Sequence, residues 1–419
     1  MFLNYTLKKL FLASIIFVSL FSNAVFGSQT ILIGIPAAQS GPAGVADHQD
    51  WTNGALMAIE EINANGGVLG KQLEAKIIDM DILTPEGGIA AMQTLIESKV
   101  HAIASAFTIL PQPAMDAAAP SGIPYIHGNT SSVNVDLYQS DPVKYRNIFQ
   151  LDVAEVWYGT GFVRFLTNLK NSGKWKPKNN KIHIVQGQTS YNLNISRATQ
   201  EEVAKTNGEW VISKVTDIQF PVQDWTPVIQ SLKEHDSGAV MIDHWVAAEL
   251  AAFAQQYAYD PVPGAIVYLQ YGPSQPEFLE LAAGAGEGMV WGTVYGVYAD
   301  EKGMEFRKKY KEKYPGIMGM VYTGGGYDAM HILANAWTKV GDPNNFDAVG
   351  DAIRNMSYRG INGTYKIDPK TNSGVSYPNM TDNPEGGQAH LFFQVQNDEH
   401  RIIEPKPFAE VEFIPAPWM

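Results

Sequence analysis

The chain has 419 residues, of which 45% are hydrophobic, and a formal net charge of −13 at pH 7. This length accommodates two or three domains of about 150 residues, and the apolar content is sufficient for ordinary buried cores. The excess of acidic residues argues against nucleic acid or an anionic membrane as the main partner, because phosphate groups are bound by clustered Lys and Arg.

The N-terminus has the three regions of a secretory signal peptide. Lys8 and Lys9 precede an apolar run, residues 10–20, which is shorter than the roughly 20 residues needed to span a bilayer. A stretch rich in small residues follows and ends at Gly27, where we predict cleavage. We therefore expect residues 1–27 to be removed on export, so that the mature chain begins at Ser28 or Gln29. An uncleaved membrane anchor is the alternative interpretation.

The sequence contains no cysteine. A lipid-bearing Cys at the mature N-terminus is thereby excluded, and the core must be large enough to be stable without disulfides. No later stretch of about 18 apolar residues follows the predicted signal peptide. These features predict a free protein in the periplasm of a double-membraned bacterium rather than a lipoprotein.

Short apolar runs alternate with amphipathic stretches along the chain. The first series predicts strands at 30–36, 73–80, 100–105 and 123–127, and helices at 53–63, 88–98 and 111–119. The second predicts strands at 181–186, 209–214, 239–242 and 265–269, and helices at 158–168, 195–206, 227–234 and 247–257. Further helices are predicted at 302–314, 328–340 and 346–355. The pattern predicts an α/β fold with two doubly wound parallel-sheet lobes.

Polar and aromatic residues follow the predicted strands of both lobes, at 39–41, 105–108, 129–131, 188–191, 243–245 and 270–271. Open parallel sheets bind ligands beyond the carboxyl ends of their strands. Ser and Thr at the starts of helices also expose backbone N–H groups to polar ligands, although helix capping alone explains any single one of these loops. Because the pattern recurs in both lobes, we favour one shared cleft.

Several long motifs are specific to one family. They are ILIGIPAAQSGPAG, NGALMAIEEINANGGVLGKQLEAKIID, VHAIASAFT, SGIPYIHGNTSS, LAAGAGEGMVWGT, GGGYDAMHIL and YRGINGTYKID, which cover most of residues 30–370. They resemble the branched-chain amino acid and amide-binding (Leu/Ile/Val-binding-like) periplasmic substrate-binding proteins of ABC transporters. The resemblance implies a type I periplasmic binding protein of Venus-flytrap architecture, in which two lobes joined by three crossover segments close on a ligand.

The same resemblance implies the division of the chain. The three crossovers are expected near residues 149–152, 290–294 and 360–364. Lobe 1 is then expected to comprise residues 28–150 plus 292–362, and lobe 2 residues 151–291 plus 363–419. The stretch 371–419 matches the family less clearly and is expected to form a C-terminal extension of lobe 2.

Positions carried over from the family imply a ligand-binding set. Thr108 matches a Ser that meets a ligand carboxylate, and Glu155 matches an acid just after the first crossover. Tyr191, Trp245 and Tyr322 match aromatic positions. Together with the residues from strand-end loops, the candidate set is Ser40, Thr108, Asn129, Thr130, Ser131, Glu155, Trp157, Tyr191, Asp243, Trp245, Tyr271 and Tyr322.

The chain departs from the family at one important position. Amino-acid binders of this family often place an acid after the strand that corresponds to residues 265–269, where it pairs with the ligand ammonium. Here Gln270 and Tyr271 follow, so Glu155 or Asp243 would have to substitute. Five candidate rings could instead enclose a quaternary ammonium or stack on a planar ligand, namely Trp157, Tyr191, Trp245, Tyr271 and Tyr322. Core packing is the alternative role for about half of such rings.

The sequence contains no recognised catalytic or metal-binding motif, neither Gly-x-Ser-x-Gly nor His-Glu-x-x-His nor a phosphate-binding loop. His48, His127 and His244 fall near the predicted cleft and are expected to form hydrogen bonds or cap helices rather than hold a metal. We therefore predict a monomeric receptor without enzyme activity, cofactor or metal. It would pass an amino acid, amide, betaine or aromatic acid to an ABC transporter permease in the inner membrane. A sensory protein of the same fold is the alternative, and a hydrolase is less favoured.

Overall fold

The computed structural model describes residues 30–419, so the predicted signal peptide lies outside the described residues. Its strands are β1 Ile31–Ala37, β2 Leu73–Asp79, β3 Ala102–Ser105, β4 Tyr125–His127, β5 Ile148–Gln150, β6 Lys181–Gln186, β7 Val211–Asp217, β8 Ala239–Asp243, β9 Ile266–Gln270, β10 Val290–Thr293, β11 Ser357–Gly360, β12 Gly363–Asp368, β13 Ser373–Gly374, β14 Ser376–Tyr377, β15 Gln388–Ala389, β16 Leu391–Gln396 and β17 Glu399–Glu404.

The helices occupy the segments between these strands. They are α1 Val45–Ala64, α2 Pro85–Glu97, α3 Pro111–Ala118, α4 Ser132–Ser140, α5 Val156–Asn171, α6 Ser190–Lys205, α7 Thr226–His235, α8 Ala247–Tyr259, α9 Glu277–Ala282, α10 Glu301–Lys313, α11 Tyr322–Val340 and α12 Phe346–Arg354. None of these helices, all within residues 30–419, is long and apolar enough to cross a membrane.

Two sheets form the centres of two lobes. The first has eight strands in the order β11-β12-β13-β5-β4-β3-β1-β2, and the second has seven in the order β17-β16-β10-β9-β8-β6-β7. Strands β1 to β5 are parallel to one another, as are β6 to β10. Antiparallel strands extend each sheet at one side, β12 and β11 in the first and β16 and β17 in the second. The predicted fold of two doubly wound lobes is confirmed.

Each sheet is covered by helices on both faces. Apolar residues of α1, α11 and α12 form a core on one face of the first sheet, and residues of α2 and α3 form a core on the other. The second sheet is covered in the same way by α7 and α8 on one face and by α5 and α6 on the other. Strands buried on both faces explain why the sequence shows continuous apolar runs rather than alternation.

Helix α1 begins eight residues before the predicted start at Asn53. Trp51 extends its apolar face, and the polar residues Asp47, His48 and Asp50 of its first turns are buried as well. Gly54 allows the helix to pack closely on α11, since a Cβ atom there would lie 1.9 Å from the Thr323 carbonyl oxygen.

The chain returns to the second sheet later than we predicted. Residues 360–364 form the turn of the β11–β12 hairpin, and both strands pair within the first sheet. This turn is fixed to α11 because the Asp328 carboxylate accepts hydrogen bonds of 2.8 Å and 2.9 Å from the amides of Ile361 and Asn362. Strand β13 also pairs with β5 of the first sheet. The chain reaches the second sheet only through β14, β15 and β16, so residues 363–374 belong with the first lobe.

The C-terminal segment completes the second lobe. Strands β16 and β17 extend its sheet, and Gln394 holds the following segment through a 2.8 Å hydrogen bond to the Ile414 carbonyl. Near the end of the chain, the Trp418 indole N–H donates to the Ala265 carbonyl at 2.8 Å.

Candidate ligand-binding site

A cavity of about 540 Å³ lies between the two lobes. Its first-lobe wall comes from the loops after β3 and β4, and its second-lobe wall comes from the residues after β6, β8 and β9. The lining residues are Pro85, Phe107, Thr108, Ile109, Leu110, Pro111, Gln112, Pro113, Asn129, Thr130, Ser131, Val133, Glu155, Tyr158, Gln188, Thr189, Ser190, Tyr191, Trp245, Tyr271 and Tyr322. The cavity is therefore at the carboxyl ends of the strands of both sheets, as the topology requires.

The first-lobe loops are fixed to each other by side-chain amides. Asn129 accepts a 2.6 Å hydrogen bond from the Thr108 amide and donates one of 2.9 Å to Asn134. Asn134 in turn lies 3.1 Å from His127 Nε2. The two loops after β3 and β4 thus form one preorganised surface.

Thr130 connects this surface to the segment after β5, and Ser131 connects it to helix α4. The Thr130 amide donates to the Asp152 carboxylate at 3.2 Å, and the Thr130 hydroxyl bonds to the same carboxylate. Ser131 caps helix α4, since its hydroxyl accepts from the Val133 amide. Burial raises the pKa of Asp152 to about 7, because the carboxylate loses contact with water.

Glu155 is the acidic residue of the cavity wall. Its side chain is only 1% exposed and accepts hydrogen bonds from the Ser132 hydroxyl and the Asn194 amide, both 2.7 Å long. Ser132 begins α4 in the first lobe, whereas Asn194 lies on α6 in the second. Burial raises the pKa of Glu155, and these hydrogen bonds oppose that shift. Among the lining residues of the described chain, none is Lys, Arg or His.

Aromatic rings from both lobes form the rest of the wall. Phe107 of the first lobe meets Trp245 of the second at a centroid distance of 6.2 Å, edge to face. Tyr322 packs at 5.5 Å from Phe107 and donates a 2.8 Å hydrogen bond to the Gly128 carbonyl. Tyr271 lies 6.4 Å from Tyr322. Rings from the two lobes are therefore in contact across the cleft.

The second-lobe wall contains a chain of hydrogen bonds at the end of β9. Tyr268 donates to the Gln270 amide oxygen at 2.7 Å, and the Gln270 amide nitrogen donates to the Tyr191 hydroxyl at 3.1 Å. Tyr158 packs edge-on beside Tyr191 at 6.3 Å. Because its hydroxyl oxygen accepts from Gln270, Tyr191 keeps its own proton to donate.

Comparison with known proteins places the chain in a family. The sequence profile of the periplasmic binding protein family matches residues 30–381. The chain belongs to this family. A crystal structure assigned to branched-chain amino acid ABC transport in Silicibacter pomeroyi is 31% identical and superposes with a TM-score of 0.86, covering 93% of this chain and 100% of that one.

More distant proteins are also similar to this chain over most of its length. The Leucine-, isoleucine-, valine-, threonine-, and alanine-binding protein of Pseudomonas aeruginosa is 23% identical over 84% of this chain and 89% of its own length. A branched-chain amino acid substrate-binding protein of Streptococcus pneumoniae, solved with isoleucine, is 18% identical with a TM-score of 0.70, covering 90% of this chain and 100% of that one. This periplasmic binding protein is therefore a solute-binding receptor.

Nine of the twelve candidate residues line the cavity of this periplasmic binding protein. They are Thr108, Asn129, Thr130, Ser131, Glu155, Tyr191, Trp245, Tyr271 and Tyr322. Ligand contact by these residues stays a prediction. Ser131 also caps a helix, so the capping and cleft interpretations are not exclusive.

The other three candidates do not line the cavity. Ser40 is exposed, because the loop after β1 turns towards the edge strand β2, where the Gln39 amide donates to Asp79. Trp157 packs against the core of the second lobe. Asp243 is fully buried beside α6, where it accepts a 2.9 Å hydrogen bond from Asn192.

Two of the three histidines near the predicted cleft lie within hydrogen-bond distance of polar side chains, and the third packs against an aromatic ring. His127 lies within hydrogen-bond distance of Asn134, and His244 Nε2 lies 2.9 Å from a Glu249 carboxylate oxygen. His48 is buried against the Phe107 ring, beneath the cavity wall. Within residues 30–419, no cluster of His, Asp and Glu has the arrangement of a metal site.

Several lining residues of the periplasmic binding protein are absent from the predicted set. Phe107 precedes the candidate Thr108, and Gln188, Thr189 and Ser190 precede Tyr191 in a loop that was recognised. Tyr158 was missed because consecutive helical residues point about 100° apart, so the choice between it and Trp157 depends on the phase of α5. The polar and aromatic composition of these loops was the feature of the sequence that could have identified the additional lining residues.

Proposed function

We propose that the cavity binds an amino acid with a large apolar or aromatic side chain, and that the protein delivers it to the permease of an ABC transporter. The observation that carries this proposal is Glu155, a buried carboxylate in a wall that otherwise consists of neutral residues. An opposite charge within a few ångströms stabilises a buried carboxylate, and a ligand ammonium would provide it. Glu155 would thus replace the acid that the family often carries after β9.

The remaining wall fits the rest of such a ligand. Phe107, Trp245, Tyr271 and Tyr322 offer apolar ring surface to a side chain. The volume of about 540 Å³ lies within the range of small-molecule sites and leaves room for an aromatic amino acid. A ligand carboxylate would meet neutral donors, such as the Tyr191 hydroxyl and the amino end of α6.

The same wall disfavours two other ligand classes. An acid without an amino group would place a second negative charge near Glu155, with no Lys or Arg in the described lining to compensate. A quaternary ammonium could contact the rings, but it has no N–H with which to donate to Glu155. Relatives named for binding Leu, Ile, Val, Thr and Ala support the amino-acid class.

The cellular setting follows from the family and the N-terminus. We infer a periplasmic location after cleavage at Gly27, action as a monomer, and hinge closure as the step that retains the ligand. A transporter permease would then recognise the ligand-loaded form. The membership in a solute-binding family supports this interpretation over catalysis.

Calorimetry on the mature protein tests the ligand class, after unfolding and refolding to remove any co-purified ligand. A matched set would be L-phenylalanine, 3-phenylpropionate, which lacks the amino group, and phenethylamine, which lacks the carboxylate, with L-leucine and glycine betaine added. We expect L-phenylalanine or L-leucine to bind, and loss of the amino group to weaken binding at least tenfold, about 1.4 kcal/mol. Equal or tighter binding of 3-phenylpropionate would overturn the assignment.

A further inference from the structure

Asp47 of the first lobe contacts the second lobe at the position where the family acid is missing. It lies in the first turn of α1 and is 2% exposed. One of its carboxylate oxygens accepts a 2.7 Å hydrogen bond from the Tyr271 hydroxyl, and the other accepts one of 2.9 Å from the Gln275 amide. Both donors follow β9 in the second lobe. Asp47 itself does not line the cavity.

Of the two donors, Tyr271 is part of the cavity wall, and Gln275 is bonded to the wall residue Trp245. The Tyr271 ring lines the cavity and packs within the apolar core of the first lobe. Gln275 donates a second hydrogen bond of 3.1 Å to the Trp245 carbonyl and accepts one of 3.1 Å from the Ala247 amide. One carboxylate of the first lobe therefore fixes the segments that carry two rings of the second-lobe wall.

The surroundings of Asp47 make these hydrogen bonds important. Burial raises the pKa of Asp47, the hydrogen bonds from Tyr271 and Gln275 oppose that shift, and the nearby acids Asp50 and Glu277 add to it. The Tyr271 hydroxyl and the Gln275 amide are thus the two neutral donors that stabilise this buried acid. Separation of the lobes would break both.

The backbone of Tyr271 supports a dedicated role. Its φ of 57° lies in a region that residues with a Cβ atom rarely adopt. Such conformations persist where the surrounding structure holds them, and they cluster at sites of function. Here the unusual backbone directs the Tyr271 hydroxyl away from its own lobe and onto α1.

We propose that Asp47, Tyr271 and Gln275 form a latch that stabilises the closed arrangement of the lobes independently of the ligand. Tyr271 then determines specificity as a rigid aromatic wall, and Asp47 is a positioning residue that acts through it. The position that would otherwise meet a ligand charge is committed to the protein's own carboxylate. A closed form would therefore be populated before the solute binds.

Distance measurements on ligand-free, refolded protein test the latch. Spin labels at Gln93→Cys on α2 and Ala204→Cys on α6 report the separation of the lobes, since both sites are exposed and the chain has no other cysteine. We expect wild type to show a short-distance population. Asp47→Asn and Tyr271→Phe should each raise the open-to-closed ratio roughly tenfold, the scale of one buried hydrogen bond.

A double variant that combines Asp47→Asn with Tyr271→Phe distinguishes one shared interaction from two independent effects. Coupled residues should raise the ratio by roughly thirtyfold or less, whereas independent ones would multiply to about a hundredfold. Glu97→Gln and Tyr259→Phe, at exposed positions of the two lobes, are matched controls that should leave the distances unchanged.

Three results would overturn the latch, namely no short-distance population in wild type, wild-type distances in both folded single variants, or a ratio raised about a hundredfold in the double variant. Because no ligand is present, none of these results depends on which solute the cavity binds. Failure of the amino-acid assignment would leave this measurement unaffected, so the two proposals can fail separately.

Discussion

The side-chain amide of Asn194 donates a 2.7 Å hydrogen bond to the carboxylate of Glu155. Asn194 belongs to the second lobe, and the same carboxylate accepts from Ser132 of the first. Glu155 thus lies where the two lobes meet, and its ionised form is stabilised by donors from both. A ligand ammonium at this point would add the missing positive charge and connect the lobes through one group.

Glu155→Gln should weaken amino-acid binding by at least tenfold. The substitution preserves size but removes the negative charge, and the new amide N–H₂ must then face either the Asn194 amide N–H₂ or the Ser132 backbone N–H, both of which are donors. Titration calorimetry with L-phenylalanine or L-leucine measures the change. Glu201→Gln, an exposed acid on α6, is the control and should bind as wild type. Unchanged affinity in folded Glu155→Gln would mean that the ligand carries no cation at this position.

Trp245→Ala should reduce ligand affinity by about 1 kcal/mol or more, the scale of one aromatic or cation–π contact. The ring lines the cavity and contacts Phe107 across the cleft, so its loss affects both the ligand surface and the lobe contact. Trp157→Ala is the matched comparison. Trp157 packs against the second-lobe core and does not line the cavity, so that variant should lose stability and keep its affinity. If Trp157→Ala lost affinity and Trp245→Ala kept it, Trp157 and not Trp245 would be the ring that contacts the ligand.

Asp50→Asn should increase stability at pH 8. Burial raises the pKa of Asp50 from 3.8 to about 7, with Glu277 adding to the shift and the Tyr310 hydroxyl opposing it. A raised acid pKa means that the folded state binds the proton more tightly, so stability falls as pH rises from about 4 to about 7. Asn is neutral at every pH, and the Tyr310 hydroxyl can accept as well as donate. We expect a gain of roughly 2 kcal/mol at pH 8 that shrinks towards pH 4.

Urea unfolding of wild type and Asp50→Asn at several pH values measures this difference. Asp47 also has a raised pKa and would still titrate in the variant, so part of the pH dependence of stability should remain in Asp50→Asn. Glu60→Gln, on the exposed part of the same helix, makes the same change of net charge without altering a buried site. An equal gain in that control would assign the effect to overall charge instead of burial.

The parallel core of both lobes was predictable because local pattern determines it. Buried strands such as β8 are almost entirely apolar in sequence, and Thr189 and Ser131 lie at helix starts where capping favours them. The cavity loops followed from topology, since the strands of a parallel sheet end at the same edge. These features need no knowledge of distant contacts.

The remaining features depend on contacts between distant parts of the chain. The β11–β12 turn is held by Asp328, some thirty residues earlier, so its sequence alone could not distinguish a hairpin from a crossover. Asp243 and Trp157 were misplaced because the direction of a side chain at the end of a strand or start of a helix is set by tertiary packing. The contact between Asp47 and Tyr271 joins residues more than two hundred positions apart.

Trp418→Ala should destabilise the protein by roughly 2 kcal/mol while leaving ligand affinity unchanged. The half-buried ring packs edge-on against Tyr257 at 5.4 Å, and its indole N–H donates to the Ala265 carbonyl. Removing it leaves a cavity and an unpaired carbonyl beside β9, although partial exposure keeps the loss below that of a fully buried Trp. Urea unfolding measures stability, and calorimetry measures affinity. Ile414→Ala is the control, because its exposed side chain is removed while the backbone bonds to Gln394 remain. A loss of affinity in Trp418→Ala would show that the C-terminal segment shapes the cavity through β9.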